Sequence, residues 1–273
     1  MTLICEVGKS QRIKHGEVVC GDSVEVVHIP EGVVVVLSDG LGSGVKANIL
    51  SKLTTKIISK MVTNKVPIQD IVETVVGTLP VCSVRGVAYS TFTIMIVTHD
   101  GRLDLMDFDG IAPIRISNNG QVHVIERISS EVHGKIINEA HLKLKEGDYV
   151  LITSDGVTEA GLGLTLSMGL QTKGVVKAIE ENVTLKDSAQ DLTEQIINIC
   201  MSYYIDKPGD DTTAVAIHIR EKRECSIMTG APIDIMMILK LLLIFYLPRA
   251  KKLFVVVLLQ QFLLEKPIGL FYL

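Results

Sequence analysis

Val33-Val34-Val35-Val36-Leu37-Ser38-Asp39-Gly40 and Tyr149-Val150-Leu151-Ile152-Thr153-Ser154-Asp155-Gly156 are two β-branched runs that each end in Ser-Asp-Gly. Each reads as a buried strand, because an unbroken apolar run offers no polar face to water. A buried strand should not end in an unpaired carboxylate. Placing a charge at the rim of a dry sheet costs several kcal/mol, roughly, unless something positive sits there. Ser-Asp-Gly alone is an ordinary turn. Its recurrence after two apolar runs, far apart in sequence, points to one shared cation site.

Outward from these runs the chain switches between two periods. Residues 1–36 are short β-type runs broken by turns such as Pro30-Glu31-Gly32. After Gly44, Val45, Ile49, Leu53, Ile57, Ile58 and Met61 recur at three- and four-residue steps, which predicts a helix. A second helix is expected over Val66–Leu79, opened by Pro67. The period returns to two from Ala88 to about Val124, with a hairpin signal at Asp100-Gly101. Short strands are expected at Ile114–Ile116, Val122–Ile125 and Leu142–Leu144, helices at about 171–183 and 187–203, and a last strand at Thr212–Ile219. Hairpins dominate and no βαβ rhythm occurs, so the class is α+β with a mostly antiparallel sheet.

Two further carboxylates lie at strand edges beside small residues. Cys20-Gly21-Asp22 follows Glu17-Val18-Val19, and Gly209-Asp210-Asp211-Thr212-Thr213 opens the final strand. Carboxylate and carbonyl oxygens are hard ligands that suit Mg2+ or Mn2+. The glycine after each Ser-Asp permits tight approach, and at Gly40 it leaves a carbonyl free to coordinate. Two such metals about 4 Å apart activate a water for in-line attack on a phosphate ester.

The ordered set Cys20-Gly21-Asp22, Ser38-Asp39-Gly40-Leu41-Gly42-Ser43-Gly44, Thr153-Ser154-Asp155-Gly156-Val157-Thr158-Glu159-Ala160 and Gly209-Asp210-Asp211-Thr212-Thr213 resembles the metal-dependent (PPM-type) serine/threonine phosphatases. It is most similar to their bacterial branch typified by stage II sporulation protein E, and the resemblance covers about residues 5–220. It implies two packed antiparallel sheets with helices outside, an α-β-β-α sandwich. It also implies two Mn2+ or Mg2+ ions: Asp39 bridging both, Asp22 and the Gly40 carbonyl on one side, Asp155 and Asp210 on the other. Asp39 and Asp22 would act in catalysis through the metal-bound water, without a phospho-enzyme. The implied substrate is a phosphorylated protein, with an anti-sigma-factor antagonist as the example, in sporulation or stress signalling. A non-catalytic phosphoprotein-binding scaffold is the alternative.

The chain departs from the family at two points. Many eukaryotic members carry an N-terminal Arg that grips the phosphate; Arg12 is the nearby candidate, and SpoIIE-like members generally lack that Arg. The Asn-Ala-Gly-His-Pro-Pro-like turn of relatives reads Asp107-Phe108-Asp109-Gly110-Ile111-Ala112-Pro113 here, without the His. Asp107-Phe108-Asp109-Gly110 also mimics the start of haloacid-dehalogenase-type phosphatases. That chemistry needs a parallel strand leading into a helix, whereas the flanks read as a meander. Gly40-Leu41-Gly42-Ser43-Gly44 lacks the Lys-Ser/Thr of a P-loop.

Composition narrows the rest. The net charge of −4 and the lack of a long Lys/Arg cluster exclude a nucleic-acid surface, and the 47% hydrophobic content of the 273 residues supports a sizeable core. Five scattered cysteines without CxxC spacing argue against disulfides and zinc, and for a reducing compartment. No signal peptide is read at the N-terminus, so the expected location is the cytoplasm. Oligomeric state has no signal.

The domain is expected over residues 1–222, followed by an apolar tail at 223–273. Three readings of the tail compete. A membrane anchor needs about 20 uninterrupted apolar residues, which Lys240 and Pro248-Arg249 interrupt. A buried helical layer would have no polar face for water. The third is out-of-frame translation after about Ile235: across Lys252 to Phe262, the shifted codons permit a Cys-Gly-Gly-Thr-Thr-Ala string that resembles a segment after the core of SpoIIE-like phosphatases.

Overall fold

A computed structural model describes residues 3–78, 90–185 and 188–222, together with two short strands at 225–228 and 251–254. The chain divides into two compact units, 1–221 and 222–273. In the second unit Cys225–Met228 pairs in parallel with Lys251–Phe254. The apolar runs of the tail and the expected frame boundary near Ile235 lie outside the described residues. Among the described residues no helix is long and apolar enough to cross a membrane.

The first unit runs β1 (Leu3–Arg12), β2 (Ser23–Ile29), β3 (Gly32–Gly40), α1 (Gly44–Thr63), α2 (Ile68–Thr78), β4 (Ser90–Thr98), β5 (Arg102–Phe108), β6 (Ile114–Ile116), β7 (Val122–Val124), β8 (Ile128–Val132), β9 (Lys135–Lys143), β10 (Tyr149–Thr153), α3 (Asp155–Thr158), α4 (Gln171–Asn182), α5 (Ala189–Tyr204) and β11 (Thr212–Glu221). Its strands form a five-stranded sheet, β1-β11-β10-β6-β7, and a six-stranded sheet, β2-β3-β4-β5-β9-β8. Every pairing in the two sheets is antiparallel.

The period of two decides how the layers stack. Along β3, Val33, Val35 and Leu37 enter the core between the sheets, while Val34 and Val36 pack beneath α1 and α2. Along β10 and β11, Val150, Ile152, Val215 and Ile217 meet them from the other sheet. Leu151, Ala214 and Ala216 face the opposite way, against Leu192 and Ile196 of α5. The layers are therefore helix, sheet, sheet, helix, which is why both strands are apolar on both faces. Each fully buried Val, Leu or Ile contributes roughly 1.5–3 kcal/mol relative to exposure.

The same alternation aims the acidic strand ends. Asp39 lies two residues beyond Leu37, and Asp22 two residues before Val24, which packs on the inter-sheet core. Both carboxylates therefore share the inward face, at the rim of the seam between the sheets.

Two regions differ from the sequence pattern. β8 and most of β9 carry no apolar alternation, since β8 is largely exposed, and the expected Leu142–Leu144 strand proves to be the end of a longer one. Helix α1 forms where its spacing places it, yet Val45, Ile49, Leu53 and Ile57 face outward. Its buried face is smaller and more polar: Ala47, Ser51, Thr54, Thr55, Ile58 and Val62 among others.

Candidate metal centre

The two Ser-Asp-Gly ends are built on one plan. Each serine ties its strand to a neighbour. Ser38 Oγ lies 2.6 Å from Ser90 Oγ and donates to the Thr91 carbonyl at 2.7 Å. Ser154 Oγ accepts from the Thr213 amide at 3.0 Å and donates to the Asp211 carbonyl at 3.3 Å. Each glycine admits a close backbone contact. A Cβ at Gly40 would lie 2.1 Å from the Ala47 carbonyl oxygen of α1, and one at Gly156 would lie 2.2 Å from the Asp211 carbonyl oxygen.

Asp39 and Asp155 line one pocket, walled by Thr91 and Thr93 of the six-stranded sheet and Thr153 and Ser154 of the five-stranded sheet, with the turn at residues 109–111 alongside. The two carboxyls lie close enough to influence each other's protonation. Burial, then the charges of Asp22, Asp155 and Asp210, push the Asp39 carboxyl far above the usual carboxylate range. Asp155 is raised by burial and by Asp210, against the opposing pull of Asp39, the Gly156 amide and Lys14.

Asp22 is 4% exposed. Its Oδ2 accepts from Thr213 Oγ1 at 2.5 Å, whereas its buried Oδ1 has no hydrogen-bond partner among the described residues. Burial raises its carboxyl, the Thr213 and Ser154 hydroxyls oppose that, and Asp211 and Asp155 add to it. Asp210 is half-buried, with Lys14 Nζ 3.6 Å from its Oδ1. Its neighbour Asp211 does another job: its carboxylate accepts from the Gly21 amide at 2.8 Å and the Lys14 amide at 3.0 Å. That clamp seats the 14–21 segment beside the final strand, which is how Asp22 and Asp210 come together.

Three contributors escape a reading of the sequence. Glu159, one turn beyond Asp155, has its carboxyl raised by burial and by Asp155 and Asp210; it sits in the stretch after the second Ser-Asp-Gly, and its helical spacing from Asp155 could have flagged it. Thr213 lies on the strand after Asp210-Asp211, and its pleat parity with Val215 marks it in the same way. Lys14 has no sequence signal, because its own amide on Asp211 and the His15 amide on the Pro208 carbonyl set its place. Arg12 is exposed and donates to the Gln11 carbonyl rather than to this centre. Asp107 is buried on antiparallel β5, held by Arg127 at 2.7 Å and Asn138 at 3.0 Å, which removes the dehalogenase-type geometry.

Among the described residues, no three or more His, Cys, Asp or Glu side chains stand close enough to hold a metal ion as placed. The donor set nevertheless fits a hard divalent cation. It is all oxygen, its members repel one another, and Asp22 Oδ1 is buried without a hydrogen.

The α-β-β-α sandwich is the architecture of PP2C-type phosphatase folds among the solved structures. The PP2C phosphatase domain with a fragment of the regulatory domain of the cell fate determinant SpoIIE from Bacillus subtilis superposes with TM-score 0.69 at 18% identity. That match covers 82% of this chain and 64% of the other, so the chain spans under two thirds of that relative. RsbX in complex with magnesium gives TM-score 0.56 at 18% identity, covering 80% and 96%. The RsbU and RsbW domains of Rv1364c from Mycobacterium tuberculosis give 0.63 at 14%, covering 81% and 61%. No curated protein matches the sequence. The family description "Stage II sporulation protein E (SpoIIE)" matches residues 30–220, and the chain belongs to that family.

Proposed function

We propose that this chain is a Mn2+- or Mg2+-dependent phosphatase that removes phosphate from Ser or Thr of a protein. The observation that carries the proposal is that Asp39 and Asp155, from two distant strand ends, line one pocket, with Asp22 and Asp210 near enough for their charges to add to the burial that raises the Asp39 carboxyl. Buried like charges are costly unless neutralised. Divalent cations would do that here. Asp39 would serve both cations, Asp22 and the Gly40 carbonyl one of them, Asp155 and Asp210 the other. When bound, the cations supply a water acidic enough to attack near neutral pH and charge to offset the phosphate.

The chain's own residues do the positioning. The Thr213 hydroxyl donates to Asp22 Oδ2, and Oδ1 has no hydrogen-bond partner among the described residues. Ser38 and Ser154 hold the strand ends that carry Asp39 and Asp155. The similar structures include a bacterial stressosome component and a chain with RsbU and RsbW domains. They support a phosphorylated partner-switching protein, such as an anti-sigma-factor antagonist, as substrate, and a cytoplasmic setting in sporulation or stress signalling.

The test is p-nitrophenyl phosphate and phosphopeptide hydrolysis by the wild type and Asp39→Asn, with Mn2+ and with chelator. Hydrolysis should require the metal and fall by about a hundredfold or more in the variant. Metal-independent turnover, or an unaffected variant, rejects the mechanism. Phosphopeptide binding without any turnover makes the chain a scaffold.

A further inference from the structure

The turn between β5 and β6 walls one side of the Asp39–Asp155 pocket, where Asp109, Gly110 and Ile111 line it. A buried network behind the wall holds it in place. Asp107, near the end of β5, is fully buried. Its Oδ1 accepts from the Gly110 amide at 3.3 Å and from Asn138 at 3.0 Å, and its Oδ2 accepts from Arg127 at 2.7 Å. Arg127 also donates to the Gly110 carbonyl at 3.2 Å. Gly110 is therefore gripped at its amide and at its carbonyl. A Cβ there would lie 2.5 Å from Thr93 Oγ1, so the turn also sits tight against β4.

The side chain that this clamp presents is Asp109. It is exposed, and its φ of 51° lies in the left-handed region that few residues other than glycine adopt. The grip on Gly110, the next residue, offsets the strain of that conformation. Asp107 has three hydrogen-bond donors, whereas Asp109, two residues on, makes no ion pair with any Lys, Arg or His among the described residues. A fixed carboxylate thus stands in the pocket wall without a cationic partner among the described residues.

We propose that Asp109 is a specificity-determining residue, selecting a Lys or Arg that flanks the phosphorylated Ser or Thr of the protein substrate, with Asp107 and Arg127 as its positioning residues. This rests on the phosphatase reading, whose substrate it narrows. A carboxylate in the wall repels the phosphate itself, so the group it attracts lies on the flanking chain. A basic flank meets opposite charge there, and an acidic flank meets like charge. The buried clamp pre-organises the contact, which lowers the entropy lost on binding.

Two fluorescein-labelled phosphoserine peptides, identical except for Lys or Glu on both sides of the phosphoserine, test this with the full chain at saturating Mn2+. The wild type should favour the Lys peptide about fivefold, in KM rather than kcat, and less so in high salt. Asp109→Asn keeps a residue that tolerates the left-handed turn and should cut the preference to under about twofold. Asp109→Lys should invert it. Arg127→Lys keeps the charge but not the two-point grip, and should weaken the preference through KM. Anisotropy of the same peptides reads binding directly. A Lys preference in binding that Asp109→Asn removes, without turnover, upholds the inference and fails the phosphatase reading. Turnover without a charge preference, or with one that Asp109→Asn leaves intact, overturns the inference and leaves that reading standing. Neither binding nor turnover overturns both. Calorimetric Mn2+ titration that loses a bound ion in Asp109→Asn gives the carboxylate to a metal and overturns the inference.

Discussion

The Asp39 and Asp155 strand ends carry the same tripeptide and meet in the same pocket, yet they finish differently. Asp39 is still inside β3, opposite Thr91 of β4, with its neighbour Ser38 opposite Ser23 of β2. Asp155 is already the first residue of the one-turn helix α3, where the Gly156 amide and Lys14 favour its charge. Helix N-termini stabilise negative charge; the interior of a sheet edge does not. The tripeptide sets the geometry, and the element that carries the aspartate sets the electrostatics. Both carboxyls are raised by burial, and only that of Asp155 has the Gly156 amide and Lys14 opposing the rise.

Substitution of the glycines should give the largest effects. Gly40→Ala and Gly156→Ala both drive a Cβ into backbone, and each should cost about 3 kcal/mol or more in chemical denaturation. A mild Gly156→Ala would show that α3 yields where α1 does not, and so sharpen the contrast.

Next comes pH. Asp39 and Asp155 have folded carboxyls above their unfolded values, so the folded chain binds more protons than the unfolded chain at neutral pH. Stability therefore falls as pH rises from the ordinary carboxylate range of about 4. In chelator, the melting temperature should drop from about pH 5 to pH 8. Asp39→Asn should flatten that slope; an unchanged slope in the variant would contradict a raised Asp39 carboxyl.

The serine staples should matter less. Ser38→Ala and Ser154→Ala each remove buried hydrogen bonds and should cost about 1–2 kcal/mol in the same denaturation assay. Smallest is Lys14→Met, whose half-exposed pair with Asp210 is worth under about 1 kcal/mol. It should still steepen the pH dependence, because Lys14 opposes the rise of Asp155.

Much of the fold and of the acidic centre is legible in the sequence. The apolar runs of β3, β10 and β11 name the central strands because each is buried on both faces. The four aspartates stand out by their positions at strand ends. β8 is hidden because an exposed edge strand needs no apolar alternation. The outward ridge of α1 is hidden for the opposite reason: its spacing announces a helix, but periodicity does not say which side meets the core. Ala47 wins the inside because Gly21 and Gly40 approach the helix there, and Ser51 because its hydroxyl donates to Ser23. Lys14 and the Asp211 clamp depend on contacts across some two hundred residues of sequence separation, beyond any local pattern.

The central claim is that Asp22, Asp39, Asp155 and Asp210 close on a pair of divalent cations, and anomalous diffraction from Mn2+-soaked crystals tests it most directly. The account predicts two peaks among these four carboxylates and the Gly40 carbonyl, with loss of density in Asp39→Asn crystals. Peaks elsewhere, or none at saturating Mn2+, would contradict it.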